Sequence, residues 1–155
     1  MAGLEDLYRE IILDHYRNPR NRGQLTTPPA TRTEGFNPLC GDEIVLFLDV
    51  ADGVVRDVKI AGQGCSISQA SASMMTTAVK GKTLPDALTM VNAFKSMMTV
   101  HEDHLDDEDE PAPPVALGDL EALRGVVKFP SRIKCATLSW NTFLQALDEL
   151  NSPPE

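Results

Sequence analysis

The chain has 155 residues, of which 42% are hydrophobic and 24% are charged, so it can bury a core and has the composition of a globular protein. Its formal net charge of −9 argues against a general nucleic-acid binder, which needs a basic face. The sequence contains no run of about 18 apolar residues, the length needed to cross a membrane, and the N-terminal residues do not resemble a signal peptide. We therefore expect no nucleic-acid or membrane partner, and a cytoplasmic location.

The first part of the chain predicts a helix, a loop and a hairpin. Apolar residues at helical spacing predict an amphipathic helix from Gly3 to Arg17, which Asn18-Pro19 ends. A loop rich in Pro, Gly and Thr follows, with one short strand near residues 30–34. The two strands of the hairpin are predicted at Glu43–Val50 and Val54–Ala61.

The turn of this hairpin predicts the relative position of two cysteines. Asp52-Gly53 lies between the two strands, and such a pair is a strong signal for a two-residue turn. Continuing the pairing back along both strands sets Cys40 opposite Cys65 at the open end of the hairpin. Two thiolates in opposite positions would be close enough to share a metal ion.

The second part of the chain predicts mainly helices. A helix from Ser66 to Lys80 is expected to begin with a capping box that Ser66 opens, and a second helix is expected from Thr83 to Met98. Residues 101–114 are dominated by Asp and Glu, which predicts an acidic surface loop.

The C-terminal segment predicts two further helices with an extended piece between them. The first is a short helix from Asp119 to Arg124, followed by an extended segment over Val126–Phe129. The last helix is expected to begin at Ser131 as its cap and to run to about Leu150. The fold class predicted overall is α+β, a small antiparallel sheet of about three strands packed against four to six helices in a single domain of residues 1–155.

The three cysteines suggest metal or sulfur chemistry. An odd number argues against a closed disulfide framework. Cys40 lies at a strand start, whereas Cys65 and Cys135 lie near helix starts, where a thiolate is stabilised. Together with Asp42 they could form a closed four-coordinate site for zinc or iron. The alternative is that the cysteines are small buried hydrophobic residues and Asp42 is a solvated turn residue, since no C-x-x-C motif is present.

Other candidate residues carry weaker signals. His101 and His104 lie three apart among carboxylates, where a solvated charged run is the simpler interpretation. His15 is a lone histidine in the first helix and is expected to be structural. Arg132 and Lys134 flank Cys135 and could lower its pKa or bind an anionic partner, or could simply begin a basic helix.

Four stretches of the chain form an ordered set of motifs. They are Asp14-His15-Tyr16-Arg17-Asn18-Pro19-Arg20-Asn21-Arg22-Gly23, Asn37-Pro38-Leu39-Cys40-Gly41-Asp42, Gly62-Gln63-Gly64-Cys65-Ser66-Ile67-Ser68 and Arg132-Ile133-Lys134-Cys135-Ala136-Thr137-Leu138-Ser139-Trp140. In this order they resemble the IscU-like family of iron–sulfur cluster assembly scaffolds. Lys134 stands where IscU proper has a histidine, and Phe129-Pro130-Ser131 replaces its chaperone-recognition segment. These features, with the insertion between Cys65 and Cys135, resemble the SufU branch.

The resemblance implies a function and a site. It implies a zinc site of Cys40, Asp42, Cys65 and Cys135, and a zinc-dependent sulfurtransferase role in which Cys40 accepts persulfide sulfur from a SufS-type cysteine desulfurase. Other Suf assembly proteins would be further partners. The alternative is a scaffold that assembles a [2Fe–2S] or [4Fe–4S] cluster on the same ligands, so a transient iron–sulfur cluster is the second cofactor to expect.

Overall fold

The computed structural model describes residues 4–27, 30–38, 41–99 and 118–151. Within these ranges the chain forms four α-helices, one 3₁₀ helix and a three-stranded antiparallel sheet in the order β1-β2-β3, which confirms the predicted α+β class. The elements in chain order are α1 Leu4–Arg17, β1 Thr31–Asn37, β2 Asp42–Ala51, β3 Val54–Gln63, α2 Ser66–Val79, α3 Leu84–Met98, the 3₁₀ helix Gly118–Lys128 and α4 Pro130–Asn151. None of the described helices is long and apolar enough to cross a membrane.

Several sequence predictions lie outside the described residues. They concern Cys40, the acidic segment 101–114, and the histidines His101 and His104 within it. The extent of a single domain over residues 1–155 stays a prediction.

The β2–β3 hairpin has the predicted turn but a different register at its open end. Asp52 and Gly53 have φ angles of 56° and 74°, the left-handed conformation that a two-residue turn of this type requires. A bulge between Asp49 and Val50 then shifts the pairing by one residue. Beyond the bulge, Glu43 pairs with Gln63, and the same register extended past the ladder sets Gly41, not Cys40, opposite Cys65. The register from which the Cys40–Cys65 pairing was predicted is therefore wrong, and Cys40 itself lies outside the described residues.

The first strand is longer than predicted, and it brings a site residue to the end of the sheet. β1 pairs with β2 along its whole length, from Thr31 opposite Leu48 to Asn37 opposite Asp42. Gly35 lies beneath α4, and a Cβ there would collide with the side chain of Thr142. This glycine therefore lets the last helix lie directly on the strand that ends at Asn37.

The small residues of α2 allow a close crossing with α4. Ser71 is fully buried; its hydroxyl donates to the carbonyl of Ala136 and accepts from the indole N–H of Trp140 at 3.0 Å. The Trp140 ring stacks on Phe94 of α3 with the ring centroids 4.2 Å apart. Because these contacts fix α2 against α4, they also fix the spacing between the first residues of the two helices.

His15 joins three elements in the core, as expected of a structural histidine. It is 2% exposed, and its Nδ1 lies 2.8 Å from the Ser73 hydroxyl of α2. Its Nε2 lies 3.0 Å from Oδ2 of Asp119 in the 3₁₀ helix. The contact holds the 3₁₀ helix against α1 and α2.

The connection into α4 differs from the prediction. The 3₁₀ helix continues through Val126 and Val127 to Lys128, so no extended segment forms there. α4 begins at Pro130, one residue before the predicted cap Ser131. The physical reason is that proline fits the first position of a helix, where its missing N–H has no partner to lose. Cys135 consequently lies in the second turn of α4.

Candidate metal centre

Three of the four predicted ligands meet at the end of the sheet. Asp42 begins β2, Cys65 immediately precedes α2, and Cys135 lies near the start of α4. One ligand atom from each residue lies within 4.8 Å of the other two. Asp42 and Cys135 are fully buried and Cys65 is half-buried, so the group opens to solvent mainly on the Cys65 side.

The Asp42 carboxylate is held by both of its oxygens. Oδ1 accepts a hydrogen bond from the backbone N–H of Cys65 at 2.9 Å. Oδ2 accepts one from the side-chain amide of Asn37 at 3.3 Å. A buried carboxylate is costly unless it is hydrogen-bonded or bound to a metal, and these two donors fix its orientation.

Gly64 allows the carboxylate to lie against the chain just before Cys65. A Cβ at Gly64 would come 2.6 Å from Oδ1 of Asp42 and 3.1 Å from its Cγ. The neighbouring Gly62 has φ 122° and passes so close to the backbone of Glu43 that a Cβ would collide with its carbonyl oxygen. The two glycines therefore bring the β3–α2 connection directly onto the start of β2.

Cys65 is itself the N-cap of α2. Its Sγ accepts a hydrogen bond from the backbone N–H of Ser68 at 3.4 Å, and its φ and ψ of −70° and 169° are extended. Ser66 is already in the helix, so the predicted capping box does not form. A thiolate in this position is stabilised both by the N–H groups and by the positive end of the helix macrodipole.

Cys135 receives a donor from β1 and a cation from its own helix. The Asn37 amide lies 3.6 Å from Cys135 Sγ and therefore bridges this sulfur and the Asp42 carboxylate. The thiolates raise the pKa of Arg132, foremost through the negative charge of Cys65 and then through hydrogen bonds that the guanidinium donates to Cys135 and Cys65.

The structure shows which of the candidate site residues lie together. Asp42, Cys65 and Cys135 come together, and Arg132 interacts with both sulfurs. Arg132 and Lys134 are both exposed. The sequence predictions missed Asn37 as a shared donor and Gly64 as the point of close approach. Both lie in the stretches that resemble the IscU-like family, but their roles depend on which atoms the fold places beside them.

The donor set fits a thiophilic divalent ion. Two thiolates and a carboxylate are ligands that Zn²⁺ accepts, with bonds of about 2.0–2.3 Å. Ligand atoms of one tetrahedral ion with such bonds lie about 3.3–3.8 Å apart, so atoms already within 4.8 Å need to approach by only about an ångström. Asn37 and Arg132 supply the outer hydrogen bonds that commonly orient metal ligands.

The fold and the donor set together define a small α+β protein with a thiolate–carboxylate cluster, suited to a metal ion, at the open end of its sheet. The family model described as the NifU-like N terminal domain matches residues 7–136, and the chain belongs to this family.

Two curated relatives and one solved structure resemble the chain over most of its length. A protein of Bacillus subtilis (strain 168) named zinc-dependent sulfurtransferase SufU is 51% identical over 139 residues, which cover 90% of this chain and 88% of the relative. The iron–sulfur cluster assembly scaffold protein IscU of Streptococcus pyogenes serotype M1 is 40% identical, covering 95% of this chain and 86% of the relative. The crystal structure of a nitrogen-fixing NifU-like protein (N-terminal) from Brucella abortus superposes with a TM-score of 0.77 at 25% identity, covering 96% of this chain and 99% of the other.

Proposed function

We propose that this protein is a zinc-dependent sulfur-transfer protein of iron–sulfur cluster biogenesis, which accepts persulfide sulfur from a SufS-type cysteine desulfurase. The observation that carries the proposal is the meeting of Asp42, Cys65 and Cys135 within 4.8 Å. It occurs in a chain that is 51% identical to a protein named zinc-dependent sulfurtransferase.

The proposed ligands are Cys40, Asp42, Cys65 and Cys135. When bound, zinc would keep the cysteines deprotonated and protected without redox chemistry of its own. The remaining roles fall to the chain. Asp42 and Cys135 are buried and hydrogen-bonded, so they are suited to stay in place during turnover.

The hydrogen bonds to the two described sulfurs favour Cys40 as the acceptor. Cys65 accepts from Ser68, and both Cys65 and Cys135 receive donors from Arg132. Donors of this kind hold a sulfur in a fixed orientation, which suits a ligand that stays in place during turnover. Cys135 is also fully buried, which excludes direct approach by a partner's persulfide. The acceptor is therefore best assigned to Cys40, which the sequence ties to the same site because only Gly41 separates it from Asp42.

The transfer step is thiol exchange. The Cys40 thiolate attacks the outer sulfur of the enzyme's persulfide, a new S–S bond forms at Cys40, and the enzyme's own sulfur leaves as a thiolate. No external oxidant or reductant is needed, because one S–S bond is made as one is broken. Since the reaction needs reduced thiols, we place the protein in the cytoplasm, with other Suf assembly proteins as later recipients.

The test is the rate of a SufS-type desulfurase with and without this protein, using wild type and Cys40→Ala. We expect wild type to accelerate turnover and to gain one sulfur at Cys40, detected by mass spectrometry of the alkylated peptide. Cys40→Ala should lose the acceleration while circular dichroism shows an intact fold. Full acceleration by Cys40→Ala would refute the acceptor assignment.

The second candidate is a scaffold that builds a cluster on the same residues, favoured by the 40% identity to a protein named as such a scaffold. Metal and acid-labile sulfide in protein purified without air separate the two functions. Stoichiometric zinc without sulfide supports sulfur transfer, whereas stoichiometric iron and sulfide without zinc support the scaffold.

A further inference from the structure

Two exposed aromatic side chains flank the candidate metal centre. Phe129 is 61% exposed and Phe36 is 58% exposed, the highest values among the large hydrophobic residues that the structure describes. Phe36 directly precedes Asn37, and the Phe129 carbonyl accepts the backbone N–H of Arg132 at 2.8 Å. The contact of Asn37 with Cys135 joins these two segments, so both aromatic rings belong to the same end of the molecule.

The segment that bears Phe129 is basic, although the chain as a whole is acidic. The net charge is −9, with 23 Asp and Glu residues, yet none of them falls between residues 122 and 147. Lys128 and Lys134 lie on either side of the start of α4 and are exposed, together with Phe129. We call Lys128, Phe129 and Lys134 the basic strip.

An exposed phenylalanine between cations is typical of a protein interface. Aromatic residues inserted into a partner's pocket carry much of the binding energy at such surfaces, and charges at the rim steer association. The site also gives a reason for a partner to cover this end. Sulfur transfer between two proteins requires the donor's persulfide to reach the cluster of Asp42, Cys65 and Cys135, and the basic strip adjoins that cluster through Arg132.

We propose that the basic strip, with Phe36 as a second anchor, is the docking surface for the sulfur-donating enzyme. The enzyme's complementary surface has an apolar recess for Phe129, ringed by acidic residues, beside the cysteine that carries its persulfide. This inference rests on the proposed function, and it assigns the recognition of the donor to side chains that are not metal ligands.

The experiment measures two quantities with a purified SufS-type cysteine desulfurase. They are the concentration of this protein that gives half-maximal acceleration and the maximal rate. Phe129→Ala is expected to raise the half-maximal concentration by about tenfold or more, because it removes the central anchor. Lys128→Glu with Lys134→Glu is expected to raise it by about tenfold at low salt, with a smaller effect at high salt. The maximal rate and the affinity for Zn²⁺ should stay at the wild-type values.

Matched control variants come from the opposite end of the sheet. Lys82 is exposed, and its carbonyl accepts the backbone N–H of Val55 beside the hairpin turn. The length of β2 places this turn about 30 Å from the candidate metal centre. Leu88 is 38% exposed in α3. Lys82→Glu and Leu88→Ala are expected to leave the half-maximal concentration unchanged.

The outcomes distinguish this inference from the proposed function. If wild type does not accelerate the desulfurase, the proposed function fails and the docking surface fails with it. If wild type accelerates it and the strip variants match wild type, only the docking surface is wrong. A change of oligomeric state in Phe129→Ala, with unchanged half-maximal concentration, would assign the strip to contacts between copies of this chain and overturn the proposal.

Discussion

Replacing Gly64 by alanine tests whether the Asp42 carboxylate is placed by close packing. The added Cβ would lie 2.6 Å from Oδ1, 3.1 Å from Cγ and 3.2 Å from Cβ of Asp42. Carbon and oxygen need about 3.4 Å for an ordinary contact, so the carboxylate oxygen must retreat by about 0.8 Å. Asp42 is fully buried and both its oxygens are hydrogen-bonded, so it has little room to retreat without stretching the 2.9 Å bond from Cys65.

The cost of this displacement should appear in stability and in metal affinity. Overpacking and a weakened hydrogen bond to a buried carboxylate predict a loss of about 1–3 kcal/mol in the unfolding free energy of the metal-free protein. Moving a ligand predicts a fall in Zn²⁺ affinity of about 10–100-fold. Denaturant titration measures the first quantity, and competition with a coloured chelator measures the second.

Gly125→Ala is the matched control. Gly125 lies in the 3₁₀ helix, an added Cβ there meets no atom within 4 Å, and its φ is not in the left-handed region. We expect this variant to stay within about 0.5 kcal/mol of wild type and to bind Zn²⁺ normally. Equal stability and equal affinity for the two alanine variants would refute the packing argument. Lower stability with unchanged affinity would instead contradict the role of Asp42 as a ligand.

Two further substitutions test the hydrogen bonds around the site and in the core. Asn37→Ala removes the amide donor that Asp42 shares with a thiolate and should weaken Zn²⁺ binding by about tenfold in chelator competition; the exposed Asn141→Ala serves as control, and equal affinities would contradict the role of the amide. His15→Ala should lower the unfolding free energy by about 2–3 kcal/mol in denaturant titration, through a cavity and two lost hydrogen bonds, while metal affinity is retained. Asp119→Ala removes only the exposed end of that contact and should cost less than about 1 kcal/mol; a loss as large as that of His15→Ala would refute this assignment.

Local rules were sufficient for much of the secondary structure. Helical spacing of apolar residues predicted α1, and Asp52-Gly53 predicted the hairpin turn, because each depends on residues that are neighbours in the chain. The register of the hairpin and the cap of α2 each differ from the prediction by one residue. The bulge at Asp49/Val50 shifts the pairing of the described residues beyond it by one, so the register used to align Cys40 with Cys65 no longer holds at Glu43 and Gln63.

The first residues of the helices were also not determined by local sequence preference alone. Both Cys65 and Ser66 can cap a helix. In the structure the β3–α2 connection packs against Asp42, and Cys65 is the N-cap of α2. Ser131 was predicted to cap the last helix, yet α4 already begins at Pro130. A residue's local preference allowed both outcomes in each case, and the surrounding contacts selected one.

The sequence by itself determined which chemistry this protein has available. Soft thiolates and one carboxylate lie in stretches with turn and helix-start signals, and these residue types favour a thiophilic metal wherever they meet. Only the tertiary structure decided that Asp42, Cys65 and Cys135 do meet, and that Asn37 and Arg132 are the groups beside them. The reason is that these contacts join β1, β2, α2 and α4 across long stretches of chain, where close packing rather than residue order sets the distance.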